Sequence, residues 1–386
     1  MLNKLFKLFV IVLFLFSLAS LFPHITHADP PDELDPQETY NRAVVLQVLS
    51  GGIQKFAGSV TYNENLKVQL LEGSENGKII TVPYSTDARF GIKQKLGRGS
   101  LVIIDSKPIP SQGMYYVLYE PYRLNNLWWL LGFFCVLTIL VVGKKGIGAL
   151  VGLAISLIVI LDYVLPQILK GQDALFVCCT GAIVILFVTT YVAHGISLKT
   201  TVALIGTAIS LVIAAVLATL AANFTYLLGL GDQNSYALQL TTTAQINPQG
   251  LLLGGIIIGT LGALNDVTTT QSITIFTLAK ENPRQLVSHL FWKSMHIGRE
   301  HIISMINTLV LAYAGSSLVI FLFFTFNPAN LPWWLLLNDQ TVMEEIIRSL
   351  VGSTALILAV PITTYIACWV SLNREKIFKR LSFKWV

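Results

Sequence analysis

The chain has 386 residues and a formal charge of +5, with 54% hydrophobic and only 12% charged residues. Soluble domains carry roughly 25% charge, so 26 basic plus 21 acidic side chains fall well short of a water-facing surface for this length. That excludes a wholly soluble protein and indicates a chain largely embedded in a lipid bilayer.

The basic excess does not point to nucleic acid. Its cations lie beside apolar segments, where orientation in a bilayer accounts for them, and no zinc-finger spacing is present. Cys135, Cys178, Cys179 and Cys368 all fall in apolar segments, so neither a disulfide scaffold nor a closed zinc site is indicated.

Residues 1–28 run from Lys4 and Lys7 through an apolar stretch, Leu8 to Phe22, to Thr26, His27 and Ala28. That order predicts a signal peptide, or a signal anchor if it is retained. Residues 29–41, with Pro30, Pro31, Asp32, Glu33, Asp35 and Pro36, read as an acidic, proline-rich tether.

Residues 42–124 change to short branched and aromatic runs: Val44 to Leu49, Leu66 to Leu71, Ile79 to Val82, Leu101 to Ile104 and Met114 to Tyr119. Such lengths predict strands. Leu66, Val68 and Leu70 alternate with Lys67 and Gln69, so one strand face is apolar, and Asn76-Gly77 marks a turn. Five or six strands in so few residues predict an extracytoplasmic all-β domain of the OB or SH3-like kind. Its acids Glu64, Glu72, Glu75 and Asp87 occur singly and read as solvated surface.

Residues 125–370 contain seven apolar segments of spanning length, near 125–143, 146–166, 174–194, 200–222, 250–271, 302–325 and 347–370. The expected fold class is an α-helical polytopic bundle of seven helices behind the small β domain. Lys144, Lys145, Lys199, Lys280, Arg284, Lys293 and Arg299 fall in alternate connections, as does the basic tail, 371–386. The positive-inside rule then sets the β domain outside and the C-terminus in the cytoplasm. Arg348 falls in an outward stretch balanced by Asp339, Glu344 and Glu345. Trp128, Trp129, Trp333 and Trp334 suit the headgroup boundary. Gly255 and Gly259 have small-xxx-small spacing, which by itself sets no oligomeric state.

Asp266 is the only ionisable residue between Pro248 and Lys280. Leu251 to Leu264 spans about 21 Å, less than the roughly 30 Å hydrocarbon layer, so the helix must continue through Asp266 and places it in the inward third. A carboxylate there is costly and marks a functional site by default, with structural hydrogen bonding or helix capping as the alternative. Asn265, Thr269 and Thr270 offer neighbouring oxygens, and the polar run also suits a broken or re-entrant helix. No metal or cofactor is assigned.

On the next segment Asn307 and Thr308 reach the same depth if the helices pack antiparallel, and Arg299 is a candidate partner for Asp266 or for Glu300. Asp162, near Pro166, and His194, in an inward turn, are secondary candidates; imidazole titrates near neutral pH and can relay protons.

The run Gly259, Thr260, Leu261, Gly262, Ala263, Leu264, Asn265, Asp266 and Val267 resembles the YibE/F family of bacterial multi-helix membrane proteins. Asn282-Pro283, Gly298-Arg299-Glu300, Met305-Ile306-Asn307-Thr308-Leu309 and Leu311 to Gly315 extend the resemblance, which spans Arg42 to about Trp369. It implies an exported β domain followed by membrane helices. Its motif positions include Asp266, Arg299 and Asn307, and transport is implied through membrane architecture alone.

The sequence therefore predicts a transporter or permease for an unknown solute or ion, coupled to a proton or cation through Asp266. The alternative is an envelope protein that binds an extracytoplasmic partner or signals. An enzyme ranks third: no paired aspartates, no His-Glu-x-x-His and no Walker A sequence are present.

Overall fold

In a computed structural model of the chain, residues 39–56, 59–87, 96–109, 113–231, 233–241, 246–327 and 329–373 are described. The expected signal segment, most of the tether and most of the basic tail lie outside these residues.

Five antiparallel strands form the β domain: β1 (Thr39–Phe56), β2 (Ser59–Leu70), β3 (Ile79–Asp87), β4 (Leu101–Ile109) and β5 (Gly113–Pro121). The hydrogen-bonded order is β3-β2-β1-β4-β5, and β3 also approaches β5, which nearly closes the sheet into a barrel. Leu66, Val68 and Leu70 enter the core with Val45, Val82, Val102 and Ile104, as period-two alternation requires. At the predicted turn Gly77 takes φ +86°, a conformation glycine adopts without a Cβ penalty. β1 begins at Thr39, ahead of the expected boundary at Arg42, because Thr39, Tyr40 and Asn41 pair with Ser106, Asp105 and Ile104.

The acids of this domain are not simply solvated. Glu64 is 4% exposed, since it shares strand parity with Leu66 and Val68 and so faces inward. It forms a side-chain hydrogen bond with Tyr62 that pushes that phenol's pKa up. The Arg42 guanidinium donates to Glu72, with Nε at 2.8 Å, and holds that carboxyl below the ordinary range. Lys78 donates to Glu75 at 2.7 Å, and together with the Tyr116 hydroxyl it lowers the Glu75 carboxyl likewise.

The helical region comprises α1 (Leu124–Val142), α2 (Lys144–Leu169), α3 (Ala174–His194), α4 (Leu198–Phe224), the short α5 (Gln233–Thr241), α6 (Pro248–Glu281), α7 (Val287–Ser316), α8 (Leu318–Phe326), the short α9 (Trp333–Leu337) and α10 (Gln340–Leu372). Six of these, α1 to α4, α6 and α10, are long and apolar enough to cross a membrane. The sixth expected span, near 302–325, is not a straight helix: α7 and α8 pass the test only together and are bent by 63°. The break falls at Gly315-Ser316-Ser317, and Gly/Ser pairs are a recognised cause of sharp kinks.

Local chemistry sets the helix starts. Asp173 caps α3 by accepting from the Phe176 amide at 2.7 Å. Ser197 caps α4, Asn247 caps α6 ahead of Pro248, and Asp339 caps α10. Each cap satisfies an orphan amide at a helix N-terminus. The centre of the region is α4 packed on both α6 and α10, which also pack on each other; α3 lies on α6, α2 on α3 and α7 on α10. Small residues make this possible. Ala203, Gly206, Ala214, Ala218 and Ala222 of α4 are buried, and a Cβ on Gly206 would lie 2.3 Å from the Thr363 hydroxyl. Such stripes let apolar helices approach without a water-driven force between them. Hydroxyls inside the bundle turn back to their own helix, as Thr207 does to Ala203, Ser210 to Gly206 and Thr260 to Ile256.

Candidate functional site

α6 runs unbroken through the polar stretch Asn265–Thr274, which corrects the idea of a re-entrant break there. It continues to Glu281 because no breaker precedes Asn282-Pro283. At 34 residues it is about 51 Å long, and Asp266 lies close to its midpoint rather than in its inward third.

Helical geometry sorts the polar residues into two sets. Thr268, Thr269, Gln271 and Ser272 are buried. The Thr268 and Thr207 hydroxyls lie 2.5 Å apart. Gln271 Nε2 donates to the Ser294 carbonyl at 3.1 Å and to the Thr364 hydroxyl at 2.8 Å, tying α6 to α7 and α10. The Ser272 hydroxyl donates to the Lys199 carbonyl at 2.7 Å. Asn265 is half-buried and accepts from the Thr190 hydroxyl of α3 at 3.0 Å. Most of this run thus serves helix packing. Thr269 alone in it has a buried hydroxyl without a partner among the described residues.

Gly255, Gly259, Gly262, Asp266 and Thr270 form the opposite, exposed face of α6. A Cβ on Gly255 or Gly262 would meet nothing within 4 Å, whereas one on Gly259 would lie 3.2 Å from the Tyr313 hydroxyl of α7, so this stripe is met by a neighbouring helix at Gly259 and is open on either side. Asp266 stands on this open face with no hydrogen bond or ion pair among the described residues. Its electrostatic neighbours are His194, the last residue of α3, and His301 of α7. His194 in turn lies within range of Lys145 and Lys199, and the Nε2 of His301 is buried without a partner among the described residues.

The expected partners on α7 are placed differently. Asn307 and Thr308 are exposed, and the Thr308 hydroxyl bonds back to Ser304 at 3.0 Å. Arg299 is exposed, with its guanidinium 6.0 Å from the Trp292 ring centroid, and among the ion pairs of the described residues it has none to Asp266 or Glu300. Two residues are about 200° of helix, so Arg299 and His301 project from opposite sides of α7. His301, not Arg299, therefore lies within electrostatic range of Asp266. Asp162 is exposed in a π-helical stretch, Val159–Val164, just before Pro166.

A second polar group was hidden in an assumed loop. α10 begins at Gln340, so Glu344, Glu345 and Arg348 lie on its first turns. Arg348 Nη1 donates to Glu345 at 2.8 Å, and both lie within electrostatic range of Tyr313 on α7. The signal available in the sequence was Asp339 as a helix cap.

Residues 130–372 match the model of the YibE/F-like protein family. The chain belongs to the YibE/F family. The matched region begins within α1, so the β domain lies ahead of it, whereas the motif resemblance was expected to reach back to Arg42. No curated protein and no solved structure matches the chain. The matched region takes in, wholly or in part, the six helices among the described residues that are long and apolar enough to cross a membrane.

Proposed function

We propose that this YibE/F family protein is a transporter in which Asp266 takes up and releases a proton or cation. The observation that carries this reading is an unpaired carboxylate at the midpoint of a spanning helix, on a glycine-smoothed face, with a histidine from each of two neighbouring helices nearby. A carboxylate in that setting must meet water, a cation or a proton. Imidazoles titrate near neutrality, so His194 and His301 are suited to exchange protons with it. Occupancy changes the charge on α6 and thereby biases its packing against α3 and α7.

The cations flanking α2, α4 and α7 favour a cytoplasmic C-terminus with the β domain outside. The cyclic strand order, with β3 next to β5, favours an OB-like barrel over an SH3-like one.

The test is reconstitution in proteoliposomes with imposed proton and sodium gradients. Asp266→Asn is expected to abolish gradient-driven flux while the protein stays folded and inserted. Equal flux in the variant, or no flux in the wild type under any gradient, sinks the reading. One observation favours a partner-binding role beside it: Tyr40 and Tyr119, 55% and 59% exposed, stack edge to face on the β domain, and exposed aromatics are common binding anchors. Capture of an envelope partner lost in Tyr119→Ser, with no transport by the wild type, would make that the primary function.

A further inference from the structure

The outer face of the β domain carries an open depression of about 520 Å³, lined by Leu46, Gln47, Val48, Lys67, Ile79 and Arg98. That volume is in the range of small-molecule clefts. Irregularities in β1 shape it. Val45 pairs with Val68 and Gln47 with Lys67, so Leu46 is an extra residue, and a second register shift falls between Val48 and Ser50. Bulges of this kind bend a strand and re-aim its side chains. Lys67 alternates with the core residues Leu66 and Val68, and Ile79 precedes the core residue Ile80, so both project outward. Arg98 stands in a turn fastened to β1: the Gly99 amide donates to the Val45 carbonyl at 2.8 Å, and the Val45 amide donates to the Ser100 carbonyl at 2.9 Å.

The charge in this depression is unmatched. Arg42, Lys78, Lys107 and Arg123 pair with Glu72, Glu75, Asp105 and Glu120 in turn. Lys67 and Arg98 are the other two cations of the domain whose side chains are described, and neither has an ion pair among the described residues. Both are exposed, and no acid lines the depression with them. Two accessible positive charges on one concave surface favour an anion.

The position in the fold selects the anion. The Leu101 carbonyl, at the start of β4, accepts from the Tyr122 amide at 2.9 Å, and α1 begins at Leu124. Arg98 is at most about 11 Å of chain from Leu101, and Tyr122 at most about 7 Å from Leu124. The depression therefore lies at the end of the β domain from which the first spanning helix leaves, within reach of lipid headgroups. Val48, Leu71 and Ile79 are exposed at the same end. Cations set among exposed apolar side chains are the combination that holds a protein surface to the interface of an anionic bilayer.

We propose that this depression binds the headgroup of an anionic phospholipid, with Lys67 and Arg98 on its phosphate oxygens, and so docks the β domain on the bilayer surface. Charge-assisted bonds from an ammonium and a guanidinium suit a phosphodiester. The Gln47 amide both donates and accepts, which suits the hydroxyls of a glycerol headgroup. This docking is independent of the transport reading.

The test is hydrogen–deuterium exchange of the full-length protein in phosphatidylcholine nanodiscs with and without phosphatidylglycerol. Phosphatidylglycerol is expected to slow exchange in residues 46–49 and 97–100 and to leave residues 113–116, at the opposite end of β5, unchanged. Lys67→Gln and Arg98→Gln are each expected to lower the ratio of docked to free domain about fivefold, and the double variant to erase the lipid effect. Both side chains are exposed, so these variants keep the fold, and Lys67→Arg is expected to keep the protection. Exchange in the wild type that ignores phosphatidylglycerol overturns the proposal, as does an undiminished lipid effect in the double variant. Glycerol 1-phosphate added to phosphatidylcholine nanodiscs is the soluble comparison and is expected to give no such protection. Equal protection by it would assign the depression to a free phosphate compound and overturn the lipid docking.

Discussion

Gln271→Leu is the substitution that most directly separates the packing face of α6 from its open face. Gln271 is 3% exposed and donates two interhelical hydrogen bonds, at 3.1 and 2.8 Å. Leucine has a similar volume, so little cavity is created, and the change falls on those bonds. Interhelical side-chain bonds in membranes average about 0.6 kcal/mol and reach about 1.7. The expected loss is therefore about 1.2 kcal/mol, with about 3.4 as a ceiling. The lower figure is favoured because the freed Thr364 hydroxyl can turn back to its own helix. The assay is reversible unfolding of the full-length protein in mixed micelles at increasing SDS fraction, with gradient-driven flux measured on the same preparations. Gln271→Leu should lower stability and keep flux per folded molecule; Asp266→Asn should change stability by less than about 0.5 kcal/mol and lose flux. An unchanged unfolding midpoint for Gln271→Leu, or lost flux with intact stability, would refute the division of α6 into a structural and a working face.

The glycines make a matched pair. Gly206→Val places a Cβ 2.3 Å from the Thr363 hydroxyl and is expected to cost about 1–3 kcal/mol by overpacking, seen in the same unfolding assay. Gly262→Ala meets open space and is expected to be neutral or to stabilise by up to about 1 kcal/mol through helix propensity; reversal of that order would show the helices packed otherwise. For the β domain, the Glu72 and Glu75 carboxyls are held below their ordinary range. A lowered folded-state pKa contributes stability above the unfolded carboxylate value, near 4.3, and loses it as pH falls through the folded value. Resistance of the β domain to limited proteolysis in the intact protein should thus fall below about pH 4. Glu72→Gln should soften that acid limb and lower resistance at neutral pH, and an identical pH profile in the variant would show the Arg42 pair to be inert.

Several elements were legible from one sequence because their causes are local. Leu66, Val68 and Leu70 alternate, and all three are in the core. The segment 174–194 coincides with α3 (Ala174–His194), since Asp173 caps one end and Gly195, at φ +76°, closes the other. The same rule of alternation, carried one step further, would have turned Glu64 inward. The end of α10 nearest Asp339 was read as loop because its charges were weighed against hydrophobicity, although Asp339 is a good helix cap and accepts from the Thr341 amide.

The composition and spacing of apolar residues were enough to specify a membrane protein, a strand-rich domain ahead of it, and a carboxylate that lipid does not tolerate idly. Those follow from transfer free energies and backbone periodicity, which act within a few turns or strands of chain. Which side of α6 is packed, and so whether Asn265, Thr268 and Gln271 hold helices together or Asp266 stands free, depends on α3, α4, α7 and α10 arriving from distant parts of the chain. That His301 rather than Arg299 lies within electrostatic range of Asp266 is of the same kind. Two residues apart in sequence, they are separated by half a turn of helix, and only the fold determines which half faces the acid.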